Sequence, residues 1–236
     1  MSYRSTGMDI FADTRNAFDI TAMKASQSFS KKPVGMAYKR ALDVAIALSG
    51  IVLLAPLLLL CFVLTVATSP GPALFRHRRV GFGGKPFGCL KFRTMAVDAS
   101  ERLRHLLATD PRAAAEWAAT RKLRNDPRVT AFGAIMRKSS LDELPQLFNV
   151  LKGDMSIVGP RPVTEEELER YASSIDAYLA CRPGITGLWQ VSGRSSTTYD
   201  KRIAYDTFYA QNWSVALDAK IIIVTIPAVL FAENAC

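Results

Sequence analysis

From Val44 to Ala67 the chain runs for 24 residues without a charge: VAIALSGIVLLAPLLLLCFVLTVA. As a straight helix at ~1.5 Å per residue it would measure about 36 Å, enough to cross a hydrocarbon core of ~30 Å. By length alone it reads as a transmembrane span. Two features oppose that reading. Pro56 stands near the middle, with 12 residues of the run before it and 11 after. Proline lacks the N–H of a helical bond and clashes with the preceding turn, so each half reaches only about 18 Å, little more than one leaflet. Both flanks are also basic: Lys31, Lys32, Lys39 and Arg40 before the run, and Arg76, Arg78, Arg79, Lys85, Lys91 and Arg93 after it. A span must expose one of these flanks on the outside, against the positive-inside tendency, whereas a helix that dips in and returns keeps both beside anionic lipid. The re-entrant reading is favoured, and the span is left open.

The charge is uneven along the chain. The formal net charge is +9, and residues 76–138 hold 15 basic against 5 acidic side chains, so this middle stretch supplies the surplus. Nucleic acid, anionic lipid and a phosphate-rich substrate are the partners that such a patch suits. No helix-turn-helix, zinc-finger or RNP-type motif stands out, and the apolar run is hard to fit into a nucleic-acid-binding protein; no nucleic-acid partner is expected. Cys61, Cys89, Cys181 and Cys236 are far apart and form no CxxC pair, which suggests neither a zinc site nor a disulfide framework and fits a reducing, cytosol-facing location.

Along the chain, residues 1–35 read as a flexible polar tail without the features of a signal peptide. Residues 36–70 read as the re-entrant membrane helix, broken at Pro56. Residues 71–236 read as a catalytic domain. In it, ALFRHRRV and KPFGCLKFRTM joined by GFGGK predict a β-hairpin. Residues 98–123 predict a helix interrupted at Asp110-Pro111, and Asn125-Asp126-Pro127 a turn. A helix leads to Arg137-Lys138, another starts near Ser140, and Thr164 to about Leu179 is helical behind an acidic first turn. Residues 182–194 read as a Gly- and Pro-punctuated loop. Ile221–Phe231, with Pro227, is too short to span and reads as a buried or interfacial helix. The expected fold is α+β, mainly helical, with a small β-hairpin.

The strongest chemical constellation is Ser139-Ser140-Leu141-Asp142-Glu143-Leu144-Pro145. Its bland reading is a capping box of Ser140 with Glu143, though Pro145 sits awkwardly for that helix. Its functional reading makes one carboxylate a nucleophile toward phosphorus and its neighbour a group that handles metal or protons. An adjacent Asp-Glu pair can supply the one or two carboxylates that Mg²⁺ takes alongside phosphate oxygens. Downstream, Gly159-Pro160-Arg161-Pro162 and the stretch from Arg182-Pro183-Gly184 to Gly193-Arg194 carry arginines on stiff backbone. This lowers the entropy cost of a planar phosphate contact. Either loop alone is an ordinary turn with a solvated arginine; the two together, beside an acidic pair, shift that balance.

LDELPQLFNVLKGDMSIVGPRP (141–162) and RPGITGLWQVSGR (182–194) together resemble the bacterial polyprenyl-phosphate hexose-1-phosphate transferases, the monotopic phosphoglycosyl transferase superfamily. Lys39-Arg40 with Asp43, KFRTM at 91–95 and NDPRVT at 125–130 match as well, so the resemblance covers roughly Tyr38 to Phe231. EWAATRKLRNDPRVT and QNWS make the chain similar to the short members that start succinoglycan-type exopolysaccharides. The resemblance implies a hexose 1-phosphate transfer from UDP-galactose or UDP-glucose to undecaprenyl phosphate, at the cytoplasmic face of the bacterial inner membrane. It implies Asp142 as nucleophile and Glu143 as its partner through Mg²⁺. It places Arg161, flanked by Pro160 and Pro162, on the uridine phosphate side, and makes Arg93 and Arg194 substrate-phosphate contacts. Pro56 falls where the family breaks its re-entrant helix. Relatives often carry a serine just before that proline, where this chain has Ala55, so no hydroxyl supports the break. Homo-oligomerisation is left open, and a non-enzymatic membrane adaptor is the competing reading.

Overall fold

The computed structural model describes residues 33–120, 123–193 and 198–230. The tail expected over 1–35, apart from its last three residues, lies outside them. The chain is α+β and mainly helical. Its elements are α1 (Met36–Thr68), β1 (Leu74–Val80), β2 (Pro86–Phe92), α2 (Ala99–Thr109), α3 (Pro111–Thr120), α4 (Ala131–Ser139), α5 (Gln146–Lys152), β3 (Ser156–Val158), α6 (Glu165–Glu169), α7 (Ile175–Leu179), β4 (Gly184–Thr186), α8 (Leu188–Val191), α9 (Tyr199–Asn212) and α10 (Val215–Leu230). They divide between two compact units, one within Met1–Leu53, His77–Cys89 and Gln146–Ala232, the other within Leu54–Arg76 and Leu90–Pro145.

Helix α1 is 33 residues long and is apolar and long enough to cross a membrane. It turns large apolar side chains outward, with Val52 72% and Leu53 78% exposed and Leu59, Leu60, Phe62 and Val63 also exposed. Water makes such a surface costly at ~25 cal/mol per Å², and lipid removes that cost, so α1 is a membrane-associating segment. Pro56 lies inside α1, and the helical assignment runs through it. The interruption expected there is therefore absent from the secondary structure. A proline deletes only its own N–H bond, and a helix can bend around the ring without ending.

In the first unit, β3 and β4 pair in parallel, with Ser156 opposite Gly184 and Val158 opposite Thr186. Residues 182–194, expected as a loop, contain β4, a three-residue strand too short to carry a period of its own. The pairing depends on glycine. A Cβ on Gly184 would come within 2.1 Å of the Gly159 nitrogen, and one on Gly187 within 2.0 Å of the Gly159 oxygen. The core gathers Ala47 of α1, Leu147 and Val150 of α5, Ile157 and Val158 of β3, Leu188, Tyr209 and Ile221. Residues 164–179, expected as one helix, form α6, a 3-10 turn (Ala172–Ser174) and α7, with Ala172 at a positive φ of 42°. The expected acidic first turn is present, closed by a reciprocal capping box of Thr164 and Glu167. A second core joins Val80, Val163, Tyr171 and Tyr178, and the Tyr178 hydroxyl donates to the Val80 carbonyl at 2.7 Å.

The polar head of α1 is fixed in this unit by three charged side chains. Lys39, 6% exposed, pairs with Asp218 of α10 at 2.5 Å, and Asp218 also accepts from the Tyr209 hydroxyl at 2.7 Å and the Trp213 indole at 3.0 Å. Arg40 donates to the carbonyls of Val150 and Leu151 at the C-terminal end of α5, where the helix dipole favours a cation. Asp43 accepts from the Ser156 hydroxyl and the Ile157 N–H, both at 2.9 Å.

The expected hairpin of β1 and β2 is found, as is the α2/α3 break in the second unit. Asp110 accepts from the N–H groups of Arg112 and Ala113 and so caps α3, while Pro111 occupies its first position. The core holds Cys61, Phe92 and Met136, with Leu57, Leu58, Phe132 and Leu141 packed on it. The half of α1 after Pro56 is thus a wall of this core. Gly133 lets α4 approach the Thr94 carbonyl, where a Cβ would stand at 2.1 Å.

Lys39→Met strands the buried Asp218 charge and is expected to cost about 3–5 kcal/mol. Thermal unfolding in detergent should show that loss, and Asp218→Asn added to the variant should recover part of it.

Candidate active site

Helix α4 opens with the Thr130 side chain accepting from the Gly133 N–H and ends at Ser140, which takes φ 58° and ψ 15°. That left-handed residue turns the chain sharply into the 3-10 turn Leu141–Glu143, with Leu141 packed into the core of its unit. The expected Ser140–Glu143 capping box is absent: the Ser140 side chain makes no cap bond, and Glu143 is directed to Lys91. Pro145 precedes α5 and does not interrupt it, which resolves the awkward register.

Asp142 and Glu143 are brought together with a cation. Lys91 Nζ stands 2.5 Å from Glu143 Oε1 and 3.9 Å from Asp142 Oδ2. Asp142 is 8% exposed. Burial holds its carboxyl above the ordinary carboxylate range, and the Glu143 charge pushes the same way, while Lys91 and Arg137 pull it down. Arg137 is itself oriented, its Nε donating to the Thr94 hydroxyl at 2.8 Å. The pair is a set of hard oxygen donors in a desolvated setting. Among the described residues no group of three His, Cys, Asp or Glu side chains could enclose a metal. A divalent cation here would rest on these two carboxylates and on oxygens brought by a substrate, the manner of Mg²⁺. The buried, partly compensated Asp142 charge fits that ion.

Lys91 was missed from the sequence. KFRTM was noticed, but nothing local ties position 91 to a carboxylate 52 residues away. Arg93, two residues on, is turned elsewhere. Its guanidinium donates to the carbonyls of Ser69 and Pro70, and its buried Nε has no hydrogen-bond partner. It ties down the chain just after α1, where Gly71 (φ 118°) leaves room for it.

The Pro160-Arg161-Pro162 loop belongs to the first unit and follows directly from β3. The Pro160 carbonyl accepts from the Gly184 N–H at 2.8 Å, and the Arg161 carbonyl from Arg202 Nη2 at 3.3 Å. Glu167 lies in the same neighbourhood, paired with Arg79 at 2.8 Å. Burial opposes its charge, but the Thr164 N–H and the cations Arg79, Arg202 and Arg161 bring its carboxyl below the usual range. Asp206 is driven the other way: burial raises it to about 6 against a Tyr171 hydroxyl bond and Arg202. Arg194 lies outside the described residues.

Ser140→Gly should hold or slightly raise stability, because glycine adopts the left-handed conformation freely. Ser140→Val should cost about 1–2 kcal/mol and lower activity by displacing the following turn. Melting curves and turnover of the two variants, measured together, check this.

Comparison with known proteins places these features in a family. The model of the family described as bacterial sugar transferase matches residues 34–232. The exopolysaccharide production protein ExoY of Sinorhizobium fredii is 49% identical over 203 residues, covering 86% of this chain and 90% of that protein. The undecaprenyl-phosphate galactose phosphotransferase of Salmonella typhimurium is 49% identical over 197 residues, 84% of this chain but 41% of that longer protein. The UDP-glucose:undecaprenyl-phosphate glucose-1-phosphate transferase of Caulobacter vibrioides is 45% identical over 205 residues, 84% of this chain and 71% of that protein. The buried Asp-Glu pair with its lysine therefore belongs to a transferase enzyme, and the chain is a member of the bacterial sugar transferase family.

Proposed function

We propose that this protein transfers a hexose 1-phosphate from UDP-galactose or UDP-glucose to undecaprenyl phosphate, releasing UMP, as the first step of exopolysaccharide synthesis. One observation carries the mechanism: Asp142 and Glu143, largely buried beside Lys91, stand on a turn whose core is built partly from the apolar helix. The names of the relatives, which include both galactose and glucose phosphotransferases, support the substrate class.

In this reading an Asp142 carboxylate oxygen attacks the sugar-side phosphorus of the UDP-sugar. The bond from that phosphorus to the bridging oxygen breaks, and UMP departs with the electron pair. A phosphate oxygen of the polyprenyl carrier then attacks the same phosphorus. The aspartyl bond breaks, the carboxylate is regenerated, and the sugar is left on a diphosphate link to the lipid. Two substitutions at phosphorus thus replace one encounter of two anions. Burial suits Asp142 to this: a poorly solvated carboxylate is a stronger nucleophile once ionised. Lys91 spreads positive charge over both carboxylates and the arriving phosphate, with Arg137 behind it. Mg²⁺ held by Asp142 and Glu143 would add neutralisation of phosphate charge. Arg161 takes the nucleotide phosphate, and Arg93 and Arg194 are assigned to substrate phosphate; for Arg93 this requires release of at least one of its loop carbonyls.

The lipid substrate explains the apolar helix. Its phosphate lies at the headgroup layer, so the attacking carboxylate belongs there, on the cytoplasmic face of the inner membrane, where UDP-sugars are met. A re-entrant α1, with both basic flanks on that face, sets this depth. Helix α10, with Ile221 buried and Ile223 and Ile226 exposed, meets the same leaflet.

Purified protein supplied with Mg²⁺, undecaprenyl phosphate and either UDP-sugar should release UMP. Asp142→Asn should stay folded and lose at least about 10³-fold in turnover, as expected when a nucleophile is removed. No release with either donor from folded protein would reject the enzyme for these substrates. Topology is read separately, in variants without native cysteines. Tyr38→Cys and Lys85→Cys should both react with an impermeant thiol reagent only from the cytoplasmic side. Opposite sidedness would make α1 a span.

A further inference from the structure

We propose that Arg202 is the positioning residue of the Pro160-Arg161-Pro162 loop, holding the Arg161 backbone so that its side chain meets the nucleotide phosphate. The inference rests on the reading of Arg161 as a nucleotide contact and extends it to a residue for which the sequence offered no motif.

Arg202, on α9, is 6% exposed. Its guanidinium carbon lies 4.9 Å from the Trp189 ring centre and 5.2 Å from that of Tyr199, so two aromatic faces border the cation. Two carboxylates balance its charge, but neither bonds it closely. Asp206 accepts a 2.6 Å bond from Tyr171 and stands 3.9 Å from Arg202 Nε. Glu167 accepts from Arg79 and the Thr164 N–H at Oε2, and its Oε1 stands 4.0 Å from Arg202 Nη1. Among the described residues, the hydrogen bond that the Arg202 side chain does make goes to the Arg161 carbonyl. The buried Arg202 Nε has no hydrogen-bond partner among the described residues.

This is a poor design for stability alone. Burying a guanidinium costs several kcal/mol, and close carboxylate bonds would offset it better than long ones. It is a good design for holding the Arg161 backbone. Pro160 and Pro162 have no N–H, so at these two positions the backbone can be held only through its carbonyls. The Pro160 carbonyl is taken by β4 through Gly184, and the Arg161 carbonyl is left to Arg202. A lysine keeps the charge but not the planar fork between the rings, so Arg202→Lys loosens the loop while preserving net charge.

The test measures KM for the UDP-sugar, kcat and thermal unfolding in Arg202→Lys, Arg161→Ala and the double variant of the full chain. Arg202→Lys should raise KM about 3- to 10-fold, the size of one hydrogen bond, with kcat within about twofold. In the Arg161→Ala background it should raise KM no further. Independent, multiplying effects of the two substitutions, or a loss confined to kcat, would overturn the positioning role while leaving the Arg161 reading intact. An unchanged KM in Arg161→Ala would overturn that reading and the proposal with it. If Arg202→Lys does not fold, Arg202→Gln, which keeps a planar N–H donor, takes its place. Failure of both to fold would make Arg202 a core residue only and reject the proposal.

Discussion

A buried charge must find its counter-charge, and at the head of α1 that requirement organises the first unit. Lys39, Arg40 and Asp43 are spaced so closely on one helix that their partners must come from elsewhere in the chain. They come from α10, α5 and β3 respectively. Three contacts of different chemistry, an ion pair, a helix C-terminus and a carboxylate on backbone N–H, leave the helix start little freedom to slide or rotate. A membrane segment tied only by apolar contacts could shift a turn at small cost, since lipid and core solvate it almost equally well. Polar contacts are directional and desolvated, so they fix the register.

The other half of the same helix supports the turn that carries Asp142 and Glu143. Leu57, Leu58 and Cys61 share a core with Met136 and Leu141, and Asp142 follows Leu141 directly. Residues on the remaining side of this stretch, Leu59, Leu60, Phe62 and Val63, are exposed and apolar. One short segment therefore presents an exposed apolar face on one side and packs on the other against the wall that carries the carboxylates. Glycine makes comparable close approaches possible elsewhere: Gly133 under Thr94, and Gly184 against Gly159.

Much of this was legible beforehand. The apolar run, the hairpin and the Asp110-Pro111 break are local patterns, and each is found as an element; the Asp142-Glu143 pair stands on one turn beside Lys91. Failures came where a local pattern was overruled at a distance. Ser140 and Glu143 have the spacing of a capping box, but a left-handed turn and Lys91, 52 residues away, claim them instead. The resemblance assigns Arg93 to substrate phosphate, and the fold adds bonds to the Ser69 and Pro70 carbonyls that no local pattern announces. The parallel β3–β4 pair spans a separation over which a three-residue strand gives no signal.

By itself, then, the sequence determined the membrane-associating helix, the mainly helical class and the acidic pair, because hydrophobicity, proline and charge act on their own neighbourhood. The tertiary structure alone decided which cation faces Asp142, how Arg202 reaches the Arg161 loop and which partners secure Lys39, Arg40 and Asp43. Those contacts join residues far apart in the chain, and pairing buried charge is a demand that only a closed fold imposes.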